Sequence, residues 1–204
     1  MRAGCWLVLV LLGANWAGAQ TFHPGVSYAT QNGPLATATG DFNRDGKLDL
    51  AVGNGASSSI SIFLGNGDGS FNAGAIVHVP GNCMVAGLSA ADFTGDGKLD
   101  LLVVCGFQTT LWVLPGLGNG QFAAGISTQL RQLALMGFAE GTFQGLAVAD
   151  FNGDGKPDVV LALCNSDLSG TNVADARQGE RHFSAAGDGI DHGHSGECRG
   201  WRYE

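Results

Sequence analysis

The chain has 204 residues, of which 34 are glycine, 45% hydrophobic and 14% charged. This hydrophobic share argues against a wholly disordered chain, and the lack of a Gly-X-Y period excludes collagen. A net charge of −8 argues against a nucleic-acid partner, which needs a basic patch.

Read from its start, Met1-Arg2 gives a short positive segment, residues 6–12 are an unbroken apolar run, and Ala17-Gly18-Ala19 is a small-x-small cleavage pattern. Residues 1–19 therefore read as a secretory signal cut after Ala19. Spanning a membrane takes about 20 apolar residues, and Gly13, Asn15 and Gly18 break the run early, so no membrane span is expected in the mature chain. Export would bring the chain to a space where disulfides persist. A leading strand is predicted at 22–28. After it come apolar or β-branched runs at 35–39, 48–52, 59–64 and 71–79, each bounded by Gly, Asn or Asp. Residues 99–104 are apolar except for Asp100, as in a strand covered on both faces.

The pattern then repeats. DFNRDGKLD begins at Asp41, DFTGDGKLD at Asp92 and DFNGDGKPD at Asp150, spaced 51 and 58 residues apart. LGNGDGSF, from Leu64 to Phe71, is echoed by LGNGQF, from Leu117 to Phe122. Four short antiparallel strands in each period of about 50 residues describe a propeller blade. The fold expected is an all-β partial β-propeller with blades near 31–79, 84–128 and 143–173. Glycines supply the tight turns and let strands crowd near the axis.

Each nine-residue loop places oxygen-bearing side chains at positions one, three, five and nine. They are Asp41, Asn43, Asp45 and Asp49; Asp92, Thr94, Asp96 and Asp100; Asp150, Asn152, Asp154 and Asp158. The carbonyl of position seven (Lys47, Lys98, Lys156) can add one more oxygen. A hard cation such as Ca²⁺ takes six to eight oxygens, which alternate positions of a tight loop can supply, so up to three structural Ca²⁺ are expected. An EF-hand would need Glu at position twelve, where Val52, Val103 and Leu161 stand. The remaining alternative is that Asp and Asn only make turns. Thr94 is the poorest of the ligands, which makes the second site the weakest. Between residues 20 and 170 there are 12 acidic and 5 basic side chains, and nine of those acids lie in the loops. The acidity thus reads as metal-site charge and not as an attractant for basic partners.

The DFxxDGKxD…LGNGxGxF period resembles the FG-GAP/VCBS-type repeat of secreted bacterial proteins and, more distantly, the β-propeller of integrin α chains. The resemblance covers residues 22–173. It implies a secreted calcium-stabilised propeller that binds extracellular protein or glycan. Such repeats also occur attached to enzymes and lectins, so the alternative is the propeller portion of an extracellular enzyme acting on carbohydrate or phosphodiester substrates.

Variable loops on the face opposite the calcium loops are the expected place for a ligand. Phe107, Arg131 and Phe138 are candidates there, although Leu130, Leu133 and Met136 equally suit a small packed cap. No G-x-S-x-G, H-E-x-x-H or phosphate-loop motif is present, and a non-catalytic role is expected. Cys83 opens one strand and Cys105 closes its hairpin partner, so the two are a candidate disulfide, whereas Cys164 has no evident partner.

From Ala174 the repeat stops. Residues 171–204 hold four of the ten basic residues and three of the five histidines, and 174–204 are expected to be a non-repeat tail, either disordered or frameshifted. A shifted frame can encode RMLGKGNGTFQPP in place of 174–186, which would restore the strand and corner due there. His192 and His194 with Asp191 offer a further metal reading of the tail. Propellers close with four to eight blades, so the chain is expected to be a fragment or to self-associate through its open edges.

Overall fold

The computed structural model describes residues 6–9, 25–106, 110–129, 142–164 and 171–176. Among them there is no helix, so none is long and apolar enough to cross a membrane. Among the described residues, thirteen strands form four antiparallel sheets.

The first blade is β3 (Pro34–Gly40), β4 (Asp49–Asn54), β5 (Ser59–Gly65) and β6 (Phe71–His78), paired in chain order. The second is β7 (Val85–Ala91), β8 (Asp100–Cys105), β9 (Thr110–Leu114) and β10 (Ile126–Gln129), also in chain order. The third contains β11 (Thr142–Ala149), β12 (Asp158–Cys164) and β13 (Thr171–Ala176). This is the all-β partial propeller the repeat predicts. One boundary moves: residues 174–176, placed by sequence in the tail, continue β13, with Ala176 opposite Val159 and Ala174 opposite Leu161. The edge of β12 has a full row of amides and carbonyls to satisfy, and Thr171-Asn172-Val173 leads directly into that ladder.

Blades stack because their strands are apolar on both faces. In β8, Leu101, Val103 and Cys105 face the first blade and join Ala51, Ile60, Ile62 and Val85 in one core. Leu102 and Val104 point the other way and pack with Phe93, Leu111, Val159 and Leu161 against the third blade. The continuous apolar run at 101–105 is thus two interleaved period-two patterns. The first strands β3, β7 and β11 touch in succession, which places them along the inner side of the stack.

A third cluster, Leu50, Val52 and Phe63, lies on the outer face of blade one, where Tyr28 and Phe71 pack on it. Tyr28 reaches it from β2 (Val26–Ala29) and accepts a 3.1 Å hydrogen bond from the Phe71 amide. The leading strand therefore lies beside the first blade. It pairs antiparallel with β1 (Trp6–Leu9), within the stretch read as a signal. An unpaired strand takes an available apolar run, and residues 6–9 supply one.

Cys83 and Cys105 form a disulfide with Cα atoms 5.0 Å apart, both fully buried in the core between blades one and two.

Candidate metal centres

The loops at 41–49, 92–100 and 150–158 each join the first strand of a blade to the second. Glycine at the sixth position has φ of +82° at Gly46, +80° at Gly97 and +83° at Gly155, a left-handed turn that folds the loop back on itself. The fold-back turns side-chain oxygens toward the loop's own amides. Asp41 Oδ1 and Asn43 Oδ1 each accept from the Asp45 amide at 3.0 Å, while Asp41 Oδ2 accepts from Gly46 at 2.9 Å. The third loop repeats this: Asp150 Oδ1 and Asn152 Oδ1 meet on the Asp154 amide at 3.1 and 2.9 Å, and Asp150 Oδ2 takes Gly155 at 2.8 Å. Two oxygens that share one donor already lie on the same side of the turn.

The second loop differs. Asp92 Oδ1 accepts from Gly95 and Asp96 at 2.7 and 3.1 Å, and its Oδ2 from Gly97 at 2.8 Å. Thr94 does not share the Asp96 amide in this way. Instead Lys98 Nζ lies 2.7 Å from Asp96 Oδ2, against 3.7 Å for Lys47 and Asp45. The Lys98 ammonium is the main cause that lowers the Asp96 pKa below the ordinary aspartate value, followed by the Lys98 amide. For Asp45 the main cause is the Lys47 amide, and for Asp150 it is the Gly155 amide; both are likewise lowered. These carboxylates are ionised at neutral pH and open to solvent, as hard-cation ligands must be.

The ninth-position aspartates sit elsewhere. Asp49, Asp100 and Asp158 are fully buried. Asp49 Oδ2 accepts from the Phe42 amide at 2.9 Å and its Oδ1 from Gly65 at 2.8 Å. Asp100 does the same with Thr94 at 2.9 Å and Gly116 at 2.8 Å. Asp158 Oδ2 accepts from Phe151 at 3.0 Å, and its Oδ1 has no partner among the described residues. Sequence spacing grouped these residues with the other ligands, but their burial gives them a structural task first: each ties its loop to its blade. Among the described residues, no three His, Cys, Asp or Glu side chains stand together as a completed cage. The donors that fit a divalent cation are the exposed oxygens of positions one, three and five, with the carbonyl of Lys47, Lys98 or Lys156.

Sequence reasoning missed Gly65 and Gly116. Each supplies the amide for a buried aspartate, and a Cβ there would lie 2.1 Å from the Leu48 carbonyl oxygen or 2.0 Å from that of Leu99. Their signal is a glycine two residues after the third-strand residue paired with Leu50 or Leu101. The corner after Gly116 also crosses to the neighbouring blade. The Gly120 amide donates to the Phe42 carbonyl at 2.9 Å, and the Phe42 and Phe122 rings meet edge-on at 5.6 Å. The face of the three acidic loops and the Gly-Asn-Gly corners are therefore one surface. Phe107, Arg131 and Phe138 lie outside the described residues, as do His192 and His194.

Comparison with known proteins identifies the repeat. The FG-GAP-like repeat family matches residues 41–103 and 92–161. The chain is also 30% identical over 184 residues to the T-cell immunomodulatory protein of Homo sapiens, covering 80% of this chain and 29% of that protein. It thus spans under a third of that relative's length.

Proposed function

The chain belongs to the FG-GAP-like repeat family, and from that premise we propose that it is a secreted, calcium-stabilised propeller module that binds protein or glycan and is not itself an enzyme. The observation that carries the calcium reading is the shared donor in the first and third loops, where Asp41 with Asn43 and Asp150 with Asn152 converge on one amide each. Bound Ca²⁺ would supply a fixed positive centre that holds these oxygens together and lowers their mutual repulsion. Asp41, Asn43, Asp45 and the Lys47 carbonyl would hold it in blade one. Asp92, Thr94, Asp96 and the Lys98 carbonyl would do so in blade two, and Asp150, Asn152, Asp154 and the Lys156 carbonyl in blade three.

Secretion is supported by the signal-like residues 1–19 and by the Cys83–Cys105 disulfide, a bond that lasts in oxidising compartments. A relative named for immunomodulation fits a role by contact. The loops use their carboxylates to close turns, which fits a structural part in a binding module.

Titration of purified, EDTA-stripped protein with CaCl₂ in a calorimeter tests the central claim. Saturable uptake of up to three ions with a rise in melting temperature is expected. No heat and no change in melting would refute it.

A further inference from the structure

Five asparagines in the chain are followed by glycine: Asn32, Asn54, Asn66, Asn119 and Asn152. This pair is open to an internal reaction, because a glycine carries no side chain to keep its amide from the carbonyl carbon of the preceding side chain. The reaction needs a free amide and a peptide able to turn between the two residues. The fold withholds one or the other at four of the five. The Gly55 amide is buried and donates to the Gly33 carbonyl at 2.7 Å, and the buried Gly120 amide donates to the Phe42 carbonyl at 2.9 Å. The Gly153 amide donates to Asp150 Oδ1 at 2.7 Å. Beside Asn32 the peptide is pinned, since the Asn32 carbonyl accepts from the Ala56 amide at 3.2 Å and the Gly33 carbonyl from the Gly55 amide.

Asn66 differs. Asn66 and Gly67 are both exposed at the corner after β5, and Gly67 has φ of +81°. Among the described residues, neither the Asn66 carbonyl nor the Gly67 amide has a hydrogen-bond partner. The side chain is nonetheless held in place. Asn72 Nδ2 donates to Asn66 Oδ1 at 2.6 Å, and Asn66 Nδ2 donates to Ser70 Oγ at 2.9 Å, whose own hydrogen goes to Asp68 Oδ1 at 2.6 Å. A donor on the side-chain carbonyl oxygen draws electrons from its carbon and stabilises the oxyanion that forms when a nucleophile adds. The corner thus joins a peptide free to turn with an oriented, polarised side-chain amide. In the equivalent corner of blade two, Asn119 Oδ1 accepts from the Gln121 amide at 3.1 Å and Gly120 is tied to Phe42.

We propose that Asn66 is a self-modification site, where the chain converts this asparagine to aspartate and isoaspartate without an enzyme. The Gly67 nitrogen gives its proton to solvent hydroxide and attacks Asn66 Cγ. The N–Cγ bond forms, the Cγ–Nδ2 bond breaks, and Nδ2 leaves as ammonia after taking a proton from water. Water then opens the cyclic imide. Cleavage at Cγ yields aspartate, and cleavage at the main-chain carbonyl yields isoaspartate, in which the backbone runs through Cγ. Water is consumed, ammonia is released and a negative charge is gained; nothing is oxidised or reduced. Asn66 follows Gly65, whose amide holds the buried Asp49 at 2.8 Å. The extra backbone carbon of isoaspartate displaces that amide and loosens the anchor of the first acidic loop, whereas aspartate leaves the backbone path as it was. This inference does not rest on calcium.

The full chain, held in mildly alkaline buffer at body temperature, is sampled over time and its peptides are mapped by mass spectrometry with electron-transfer fragmentation, which distinguishes aspartate from isoaspartate. Asn66 is expected to lead, converting about tenfold faster than Asn54, Asn119 and Asn152 and ahead of Asn32, while the urea-unfolded chain converts all five at similar rates. Asn72→Ala should slow Asn66 about threefold, because the donor on its carbonyl oxygen is gone. Hydrogen exchange at the Gly65 amide should be faster in the isolated isoaspartyl fraction than in the parent, and unchanged in Asn66→Asp, which adds the charge without the extra carbon. A different leading asparagine, the same order of rates in urea, an Asn66 rate undiminished by Asn72→Ala, or equal Gly65 exchange in the isoaspartyl fraction and the parent would each overturn the proposal.

Discussion

The amide of Gly65 reaches Asp49 Oδ1 across 2.8 Å, joining the end of β5 to the start of β4 from 16 residues away. Gly116 and Asp100 repeat the contact at the same distance. Charge-assisted bonds to buried carboxylates are among the stronger ones, at about 1.5–3 kcal/mol. Asp100→Asn keeps the shape but turns an amide NH₂ toward one of two donors. It should lower stability by about 2 kcal/mol, read as a reduced urea midpoint at unchanged slope.

Two kinds of glycine should respond differently to alanine. At Gly116 a methyl would meet the Leu99 carbonyl oxygen at 2.0 Å, and Gly116→Ala should cost about 3 kcal/mol through forced separation of the strands. At Gly97 nothing lies within 4 Å of the added atom, and only the positive φ of +80° opposes it. Gly97→Ala should cost about 1 kcal/mol. Denaturant melts of the two variants would show this difference; equal losses would contradict it.

Of the three proposed calcium sites, the one in the second loop should bind most weakly. Thr94 offers a hydroxyl oxygen, a poorer cation ligand than the amide carbonyl oxygen of Asn43 or Asn152, and the Lys98 ammonium already occupies Asp96 Oδ2 at 2.7 Å. Lys98→Met combined with Thr94→Asn should tighten that site by about tenfold, roughly 1.4 kcal/mol. Calorimetric isotherms before and after the change would show whether the weakest step is the one that moves.

Much of this was legible from sequence because it is local. The three loops, the strands around them and the paired positions of Cys83 and Cys105 follow from spacing and from runs of a few residues. What sequence could not show depends on contacts between distant parts. Asp41 and Asp49 belong to one motif, yet one faces solvent and the other is sealed by a glycine beyond the next strand. Phe42, Phe93 and Phe151 occupy the same motif position with exposures of 2%, 7% and 50%. The residue type is constant, so burial is set by what the neighbouring blade offers: Phe42 has Phe122 to pack on. The end of β13 was misjudged for a similar reason, since residues 174–176 owe their strand to the edge of β12 and not to their own composition.

Acid should loosen the calcium-free loops late. Asp45, Asp96 and Asp150 have lowered pKa values in the fold. Their stabilising bonds are complete above the unfolded aspartate value of about 3.9 and are lost as pH falls through the lower folded values. Carboxyl carbon shifts followed by NMR in EDTA should give midpoints below 3.9 for all three. Lys98→Met should move the Asp96 midpoint upward and leave that of Asp150 in place.

The disulfide closes a separation of 22 residues, which in the chain-entropy account contributes about 3 kcal/mol. The double variant Cys83→Ser and Cys105→Ser should melt earlier under oxidising conditions, and a reducing agent should shift the parent and leave the variant unchanged.

Because each sheet packs on its neighbours through the successive inner strands β3, β7 and β11, the molecule behaves as a short row of coupled units. In such a row, cooperativity is a property of the junctions, and unfolding can begin at one end and stop at the next boundary. The two junctions here are unequal: the first carries the disulfide, the Gly120–Phe42 bond and the larger core, whereas the second borders a cavity and a carboxylate oxygen with no partner among the described residues. A single melting temperature would therefore average two events, with the third unit opening while the first pair still holds.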